Sequence, residues 1–387
     1  MKPVIKRAIK QAMFVGVACS LVTWMALLPT ATMASVRLPD ISPAPDALAR
    51  PFAWEVSGYM MLDGDSPNQK KPQYNLRRLS LETAAKQNHW AGELQLRLED
   101  APEIQDLTLT YFGFGDAELE IGRMKIPSGL EADVSSRHLP LIERSIATEQ
   151  TALGRGNGVA VSFDENAFGF KLGSYDVSDW NDQVFVSALR AYASPINKKR
   201  QQVHLGMHLS VSEWQKGRHR LRSQFEIESS DDIRLTPAMN PKKIHQAGLE
   251  LAYQYTGWLA QLEYTRQDIQ VYADANQPHH QYQFIYYQVA WLPFGQHRRY
   301  RDGVFKGVSG KASLTKIEAV VRHSEVDAFD RNAGTLARTT SLGVNWYCLE
   351  DAKLMLNYGE YEWEQAVVAK QQSGDNWSAR LQWEFAW

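Results

Sequence analysis

Trp377-Ser-Ala-Arg-Leu-Gln-Trp-Glu-Phe-Ala-Trp387, the last eleven residues, alternate with period two. Trp377, Ala379, Leu381, Trp383, Phe385 and Trp387 occupy one set of positions; Ser378, Arg380, Gln382, Glu384 and Ala386 occupy the other. Successive side chains of a β-strand point to opposite faces, so this strand has one aromatic, apolar face and one mostly polar face. A tilted strand of about 9–11 residues is long enough to cross a bilayer. A strand of a soluble sandwich would show the same alternation. The character of the first residues and the recurrence of the pattern along the chain separate the two readings.

Lys2, Lys6, Arg7 and Lys10 precede an uncharged apolar run from Ala12 to Leu28, and Thr32-Met-Ala34 places small residues at the −3 and −1 positions of a cleavage site. Residues 1–34 therefore read as a signal peptide. The 17 apolar residues are at the short end for a membrane anchor, and Pro29 follows them directly. Cys19 raises lipidation, but Gly16 stands where a lipoprotein signal has a large aliphatic residue and the apolar run continues past it. Taking the four cations of this segment from the chain's 42 leaves 38 Lys and Arg against 44 Asp and Glu, a net charge near −6. That balance argues against a nucleic-acid partner, which demands a basic face. Cys348 is then the only cysteine, which excludes an intrachain disulfide and a thiolate metal cluster. The chain is 44% hydrophobic and 22% charged, and beyond the signal no apolar run is long enough for a spanning helix. A transmembrane barrel fits this composition, because only alternate residues need be apolar.

Residues 35–53 are rich in proline and lack periodicity, and read as a periplasmic lead-in. The barrel domain is expected over 54–387. Trp54, Val56, Gly58, Met60 and Leu62 alternate with Glu55, Ser57, Tyr59 and Asp63. Leu94, Leu96 and Leu98 oppose Glu93, Gln95, Arg97 and Glu99; Leu249, Leu251 and Tyr253 oppose Glu250, Ala252 and Gln254. Tyr and Trp recur at strand ends, as in the interfacial girdles of outer-membrane barrels. The count is 16 strands if the basic stretch Gly217–Glu228 belongs to a long connection and 17 if it is a strand. Single-chain bacterial barrels have even numbers, so 16 is expected. A barrel of that size encloses water. The prediction is an all-β, transmembrane, antiparallel β-barrel of about 16 strands in the outer membrane, its outer face in contact with lipid.

The longest irregular connection runs from Pro127 to Gly156, and thirty irregular residues in a compact domain point to function. It holds Ser135-Ser-Arg-His138, Glu143-Arg144 and Gly154-Arg-Gly-Asn-Gly158. Folded inward, such a loop sets the narrowest cross-section, and rings of Arg or Lys there select anions. The last of these motifs lacks the Gly-Lys-Ser/Thr ending of a P-loop and precedes a strand, not a helix.

Ile121-Gly-Arg-Met-Lys-Ile-Pro-Ser-Gly-Leu-Glu131, with Ser135-Ser-Arg137 and Ile142-Glu-Arg-Ser145, resembles the third-loop signature of the phosphate-selective porin O and P family. Asn75-Leu-Arg-Arg-Leu79, His204-Leu-Gly206, Gly248-Leu-Glu-Leu-Ala252, Gly343-Val-Asn-Trp-Tyr347 and Leu354-Met-Leu-Asn-Tyr358 extend the resemblance, in order, to the end of the chain. It implies a trimeric 16-stranded barrel whose third loop folds into the lumen. The terminal aromatic residue Trp387 also resembles the outer-membrane assembly signal, in which Phe is commoner. The family resemblance further implies a passive channel for phosphate or related oxyanions, with no catalytic step and no cofactor. Carried over residue by residue, Arg77 and Arg78 match paired wall arginines, and Lys125, Ser135, Ser136, Arg137 and Arg144 match the third-loop anion site. Arg218, Arg220 and Arg222 resemble the basic stretch of the fifth loop. Lys306 falls near a further motif. Strict alternation puts only Arg78 on the polar face, which leaves Arg77 at a bulge or snorkelling.

The acidic residues Glu82, Glu93, Glu99, Glu250, Glu263 and Glu318 share the polar faces, and unless paired they oppose anions. A weakly selective general porin on the same fold is therefore the alternative. An outer-membrane enzyme using His204, His208, His279 or His280 lacks a recognised nucleophile motif, and a plugged adhesin barrel would not conduct.

Overall fold

The alternation of the sequence becomes an inside-out protein. A computed structural model describes residues 53–386 apart from 68–70, 166, 180, 227–231, 273–278, 311–314, 331–333 and 366–369. The expected signal peptide, the lead-in up to residue 52 and Trp387 lie outside the described residues.

Among the described residues there are twenty strands. The first nine are β1 (Ala53–Pro67), β2 (Gln73–Gln87), β3 (Trp90–Arg97), β4 (Glu103–Phe114), β5 (Ala117–Lys125), β6 (Arg155–Glu165), β7 (Phe168–Asp176), β8 (Gln183–Lys198) and β9 (Gln201–Lys216). Two short strands follow, β10 (Arg222–Ser223) and β11 (Ile233–Arg234), then β12 (Pro241–Tyr255), β13 (Trp258–Val271) and β14 (His279–Trp291). The rest are β15 (Arg298–Arg301), β16 (Val304–Val308), β17 (Ile317–Asp327), β18 (Thr335–Trp346), β19 (Ala352–Gln365) and β20 (Lys370–Ala386). Sixteen of these form one closed antiparallel barrel in the order β1 to β9, β12 to β14 and β17 to β20, with β20 returning to pair with β1. β10–β11 and β15–β16 are separate hairpins. Among the described residues of Gly217–Glu228 only Arg222 and Ser223 pair as strand, with Arg234 and Ile233, so that part of the stretch belongs to a connection and not to the wall.

Along β12, Gln246, Glu250 and Gln254 are buried, while Leu249, Leu251 and Tyr253 are 41%, 47% and 45% exposed. The terminal strand β20 repeats this, with Ser378, Arg380 and Gln382 buried and Trp377, Leu381 and Trp383 exposed. A soluble protein rarely exposes a contiguous apolar surface of this kind; a barrel in hydrocarbon requires it.

Turns of two residues at 88–89, 115–116, 199–200 and 256–257 join strands at the end of the barrel where β1 begins and β20 finishes. The connections 126–154 and 217–240 rise from the opposite end. The connection 292–316, which carries β15–β16, is a long one at the short-turn end. All three pack against the buried face of the wall. Ile146, Leu221, Phe225 and Leu235 join wall residues Tyr282, Phe284, Tyr286, Val326 and Trp363 in an apolar cluster. Leu130, Val134, Leu139 and Leu141 join Ala252, Leu259, Ala290 and Val320 with Val304 and Phe305 of β16 in a second. Gly343 on β18 lets Leu141 approach, since a Cβ there would collide with its side chain.

Candidate functional site

The 126–154 connection is fastened to the wall by charge and backbone together. It contains α1 (Leu130–Asp133), a turn of 3₁₀ helix (Ser136–His138) and α2 (Ile146–Thr151). The backbone N–H groups of Leu130 and Glu131, unsatisfied at the start of α1, donate to the Glu263 carboxylate on β13 at 3.1 and 2.6 Å. Ser145 caps α2 by accepting from the Thr148 N–H at 3.0 Å. The Glu131 carboxylate accepts from the Ser145 N–H at 3.0 Å and from Arg322 of β17 at 2.8 Å. Arg322 also donates to Glu226 at 2.6 Å, which ties the 217–240 connection to the same cation.

Further round the wall, Asn345 of β18 donates to the Pro140 carbonyl at 2.7 Å, and Lys353 of β19 to that of Arg137 at 2.9 Å. Arg380 of β20 donates to the Ile142 carbonyl at 2.7 Å and to Glu143 at 2.9 Å. Arg77 of β2 meets the same Glu143 carboxylate at 3.2 Å. Burial would raise the Glu143 carboxyl, but Arg77 and Arg380 outweigh it and hold it at about 2. On β8, Arg190 is bound to Glu250 at 2.7 Å, to Asp133 of α1 at 3.3 Å and to the Gly303 carbonyl of the β15–β16 turn at 2.9 Å.

Between this connection and the β1–β5 part of the wall lies a cavity of about 660 Å³. Its cationic lining is Arg78, Lys125, Arg137, Arg144, Arg155 and Lys306; its carboxylates are Glu55, Glu82, Glu93, Asp106 and Asp133. Several of these charges are neutralised by a neighbour. Arg137 pairs with Glu82 at 3.1 Å, Arg155 with Asp106 at 2.9 Å and Lys306 with Asp302 at 2.5 Å. Three cations rest on neutral acceptors instead. Arg78 donates to the Ser136 hydroxyl at 2.9 Å, Lys125 to the Val134 carbonyl at 3.3 Å, and Arg144 to the carbonyls of Val134 at 2.6 Å and Glu131 at 3.3 Å. Among the described residues none of the three forms an ion pair. A guanidinium held by neutral acceptors keeps its net charge and presents further donors in a fork that suits an oxyanion. Burial first, and then the charges of Arg137, Lys353, Arg298 and Arg299, push the His138 imidazole down to about 3.

Six of the ten residues expected from sequence, Arg78, Lys125, Ser135, Ser136, Arg137 and Arg144, line this one cavity. Arg77 is the extra residue of a bulge: Met61 pairs with Arg78 and Leu62 with Leu76, so both arginines turn to the polar side and Arg77 reaches Glu143. Arg218, Arg220 and Arg222 are not brought to the cavity; Arg222 is exposed and paired with Asp232 at 2.8 Å. Arg155, Arg190, Arg322 and Arg380 were not singled out in the sequence. Arg380 had a readable signal, since it sits on the polar positions of the terminal strand and Asp63 is its register partner on β1.

Residues 50–385 match the family described as phosphate-selective porin O and P. No curated protein matches the chain. Among solved structures, the trimer form of in-vitro folded OmpT, an outer membrane protein of Vibrio cholerae, is similar with a TM-score of 0.57 at 13% identity over 87% of this chain and 100% of that one. The outer membrane channel DcaP of Acinetobacter baumannii gives 0.57 at 8% identity over 86% of this chain and 97% of that one. An anion-selective porin from Comamonas acidovorans gives 0.57 at 9% identity over 87% of this chain and 100% of that one. These likenesses are of fold. The family match spans nearly the whole barrel, and by it the chain belongs to the phosphate-selective porin O and P family and is an outer-membrane anion porin.

Proposed function

We propose that small oxyanions, phosphate first among them, cross the outer membrane through the cavity beside β1–β5, and that Arg78, Lys125 and Arg144 form the station at which they are partly dehydrated. The observation that carries this reading is the absence of ion pairs at these three cations, among the described residues, while their neighbours Arg137 and Arg155 are neutralised. Ser135 and Ser136 line the same cavity and supply hydroxyls in place of water. A conducting site must also release its ion, and neutral acceptors within reach of each cation keep binding weak. On this reading the 126–154 connection is an inward-folded constriction, the protein is a channel and not an enzyme, and three copies assemble as in the trimer form of OmpT.

Arg218, Arg220 and Arg222 lie outside the cavity, and any part they take is in gathering anions before the constriction. The five carboxylates of the cavity favour a second reading, a weakly selective general porin. Reversal potentials in a chloride gradient across a planar bilayer, followed by titration with phosphate, separate the two. Anion-biased reversal with phosphate blocking chloride current is expected. Arg78→Ala, Lys125→Ala and Arg144→Ala are each expected to weaken the anion preference with the barrel still folded. Reversal potentials unchanged in all three would refute the station.

A further inference from the structure

Among the described residues Glu55 and Glu93 make no ion pair and no hydrogen bond, and both are exposed on the cavity side of the wall. They occupy one row of the barrel: Glu55 pairs in register with Ala84, and Ala84 with Glu93. The small side chain between them leaves both carboxylates open. The row continues through Thr108 to Gly122, three residues before Lys125 on β5. At about 3.3 Å per residue, the row lies on the order of 10 Å along the strand from the cationic station, on the side of the short turns. The nearby acids and bases engage each other: Glu82 with Arg137, Asp106 with Arg155, Glu120 with Lys171. Lys86, two residues beyond Ala84 on β2, lies over the Phe112 ring.

Resting on the anion station proposed above, we infer that Glu55 and Glu93 set the charge of the solute, so that the channel passes singly charged oxyanions and retains multiply charged ones. An anion leaving the station must climb from three uncompensated cations past two uncompensated carboxylates. Both the depth of the first and the height of the second scale with the charge on the solute, so the climb doubles for a dianion. A dianion therefore binds and blocks, whereas a monoanion binds and crosses. The paired wall charges contribute little to this profile because each carboxylate field is cancelled by its partner at contact distance.

The test is the sulfate-to-chloride permeability ratio, from bi-ionic reversal potentials across planar bilayers, for the wild-type protein, Glu93→Gln and the Glu55→Gln/Glu93→Gln pair. Glutamine keeps the shape, and neither carboxylate has a bond to lose, so all three channels are expected to fold and conduct chloride. In the wild type sulfate is expected to block chloride current while carrying little itself. The ratio is expected to rise roughly threefold in the double variant, the order of effect two unit charges at this range have on the extra charge of sulfate. A wild type that carries sulfate as readily as chloride, or a ratio unmoved in the double variant, overturns the inference. Chloride-over-potassium selectivity, measured in the same membranes with Arg78→Ala as control, tells the two failures apart. If it is absent from the wild type, the anion station itself has failed; if it is present while the sulfate ratio stays fixed, only the role of Glu55 and Glu93 has.

Discussion

Arg322 is almost fully buried, with Glu131 at 2.8 Å on one side and Glu226 at 2.6 Å on the other, both of them buried as well. Removing one member of such a group leaves charges in a dry site with nothing to balance them, at a cost of about 3–5 kcal/mol. Arg322→Leu is therefore expected to lower the stability of the detergent-solubilised barrel by about that amount in thermal unfolding and to enlarge single-channel conductance as the two connections come away. Unchanged conductance would show that the clamp is redundant. This triad was not legible in the sequence. Residues 131 and 322 are 191 apart, and nothing in either local pattern says which wall position a loop will reach once the barrel has closed. Arg380 is the contrary case, because parity places it inward and register with Asp63 supplies its partner.

At the scale of elements, the clamp formed by Glu143 with Arg77 and Arg380 makes the 126–154 connection sensitive to acid. The folded carboxyl, at about 2, lies below its ordinary 4.5. Its contribution to docking is therefore complete above pH 4.5 and is lost as the pH falls toward 2. A rise in wild-type conductance across that window is expected, and Glu143→Gln should have that higher conductance already at neutral pH, with the step gone. A wild-type trace flat down to pH 2 would remove the clamp from the account. The wall strands were legible because lipid on one side and polar groups on the other enforce period two at every position. The hairpin β15–β16 was not, since its four and five residues carry no comparable pattern and its Arg298 is fixed by Glu318, at 2.6 Å, twenty positions away. Gly217–Glu228 alternates over its arginines, but those arginines do not face a ladder partner in the wall, and the stretch remained a connection.

For the whole molecule, the inverted polarity makes a simple demand. Leu251 is half exposed on the apolar face of β12, and Arg at a mid-membrane position of that face costs about 2–4 kcal/mol. Leu251→Arg is expected to reduce the yield of folded barrel in the membrane and its resistance to denaturant by that amount, while leaving selectivity of the surviving channels unchanged. A shift in reversal potential would mean that the lipid face and the pore are coupled. The closed sixteen-strand wall followed from alternation, and motif resemblance singled out the 126–154 connection, six of whose expected neighbours and members line one cavity. The division of the cavity's charges into neutralised pairs and bare ones followed from neither, because it depends on partners meeting across the lumen.

The seam between β1 and β20 gives the barrel an order of events in time. These strands are the first and last of the wall, and the Arg380 guanidinium meets Asp63 through two contacts, at 2.7 and 2.6 Å, between residues 317 apart in sequence. Until the final strand arrives, every precursor is an open sheet with two unpaired edges, the kind of surface that recruits foreign strands. Loop closure over the whole chain is the slowest pairing to nucleate, so the seam is the last to form. A slip of one residue there would carry Arg380 to the lipid side and its neighbours Ala379 and Leu381 into the lumen. The ion pair at the seam thus serves as a proofreading step for the whole assembly: the ring can lock only in the one alignment that returns its last charge to the inside.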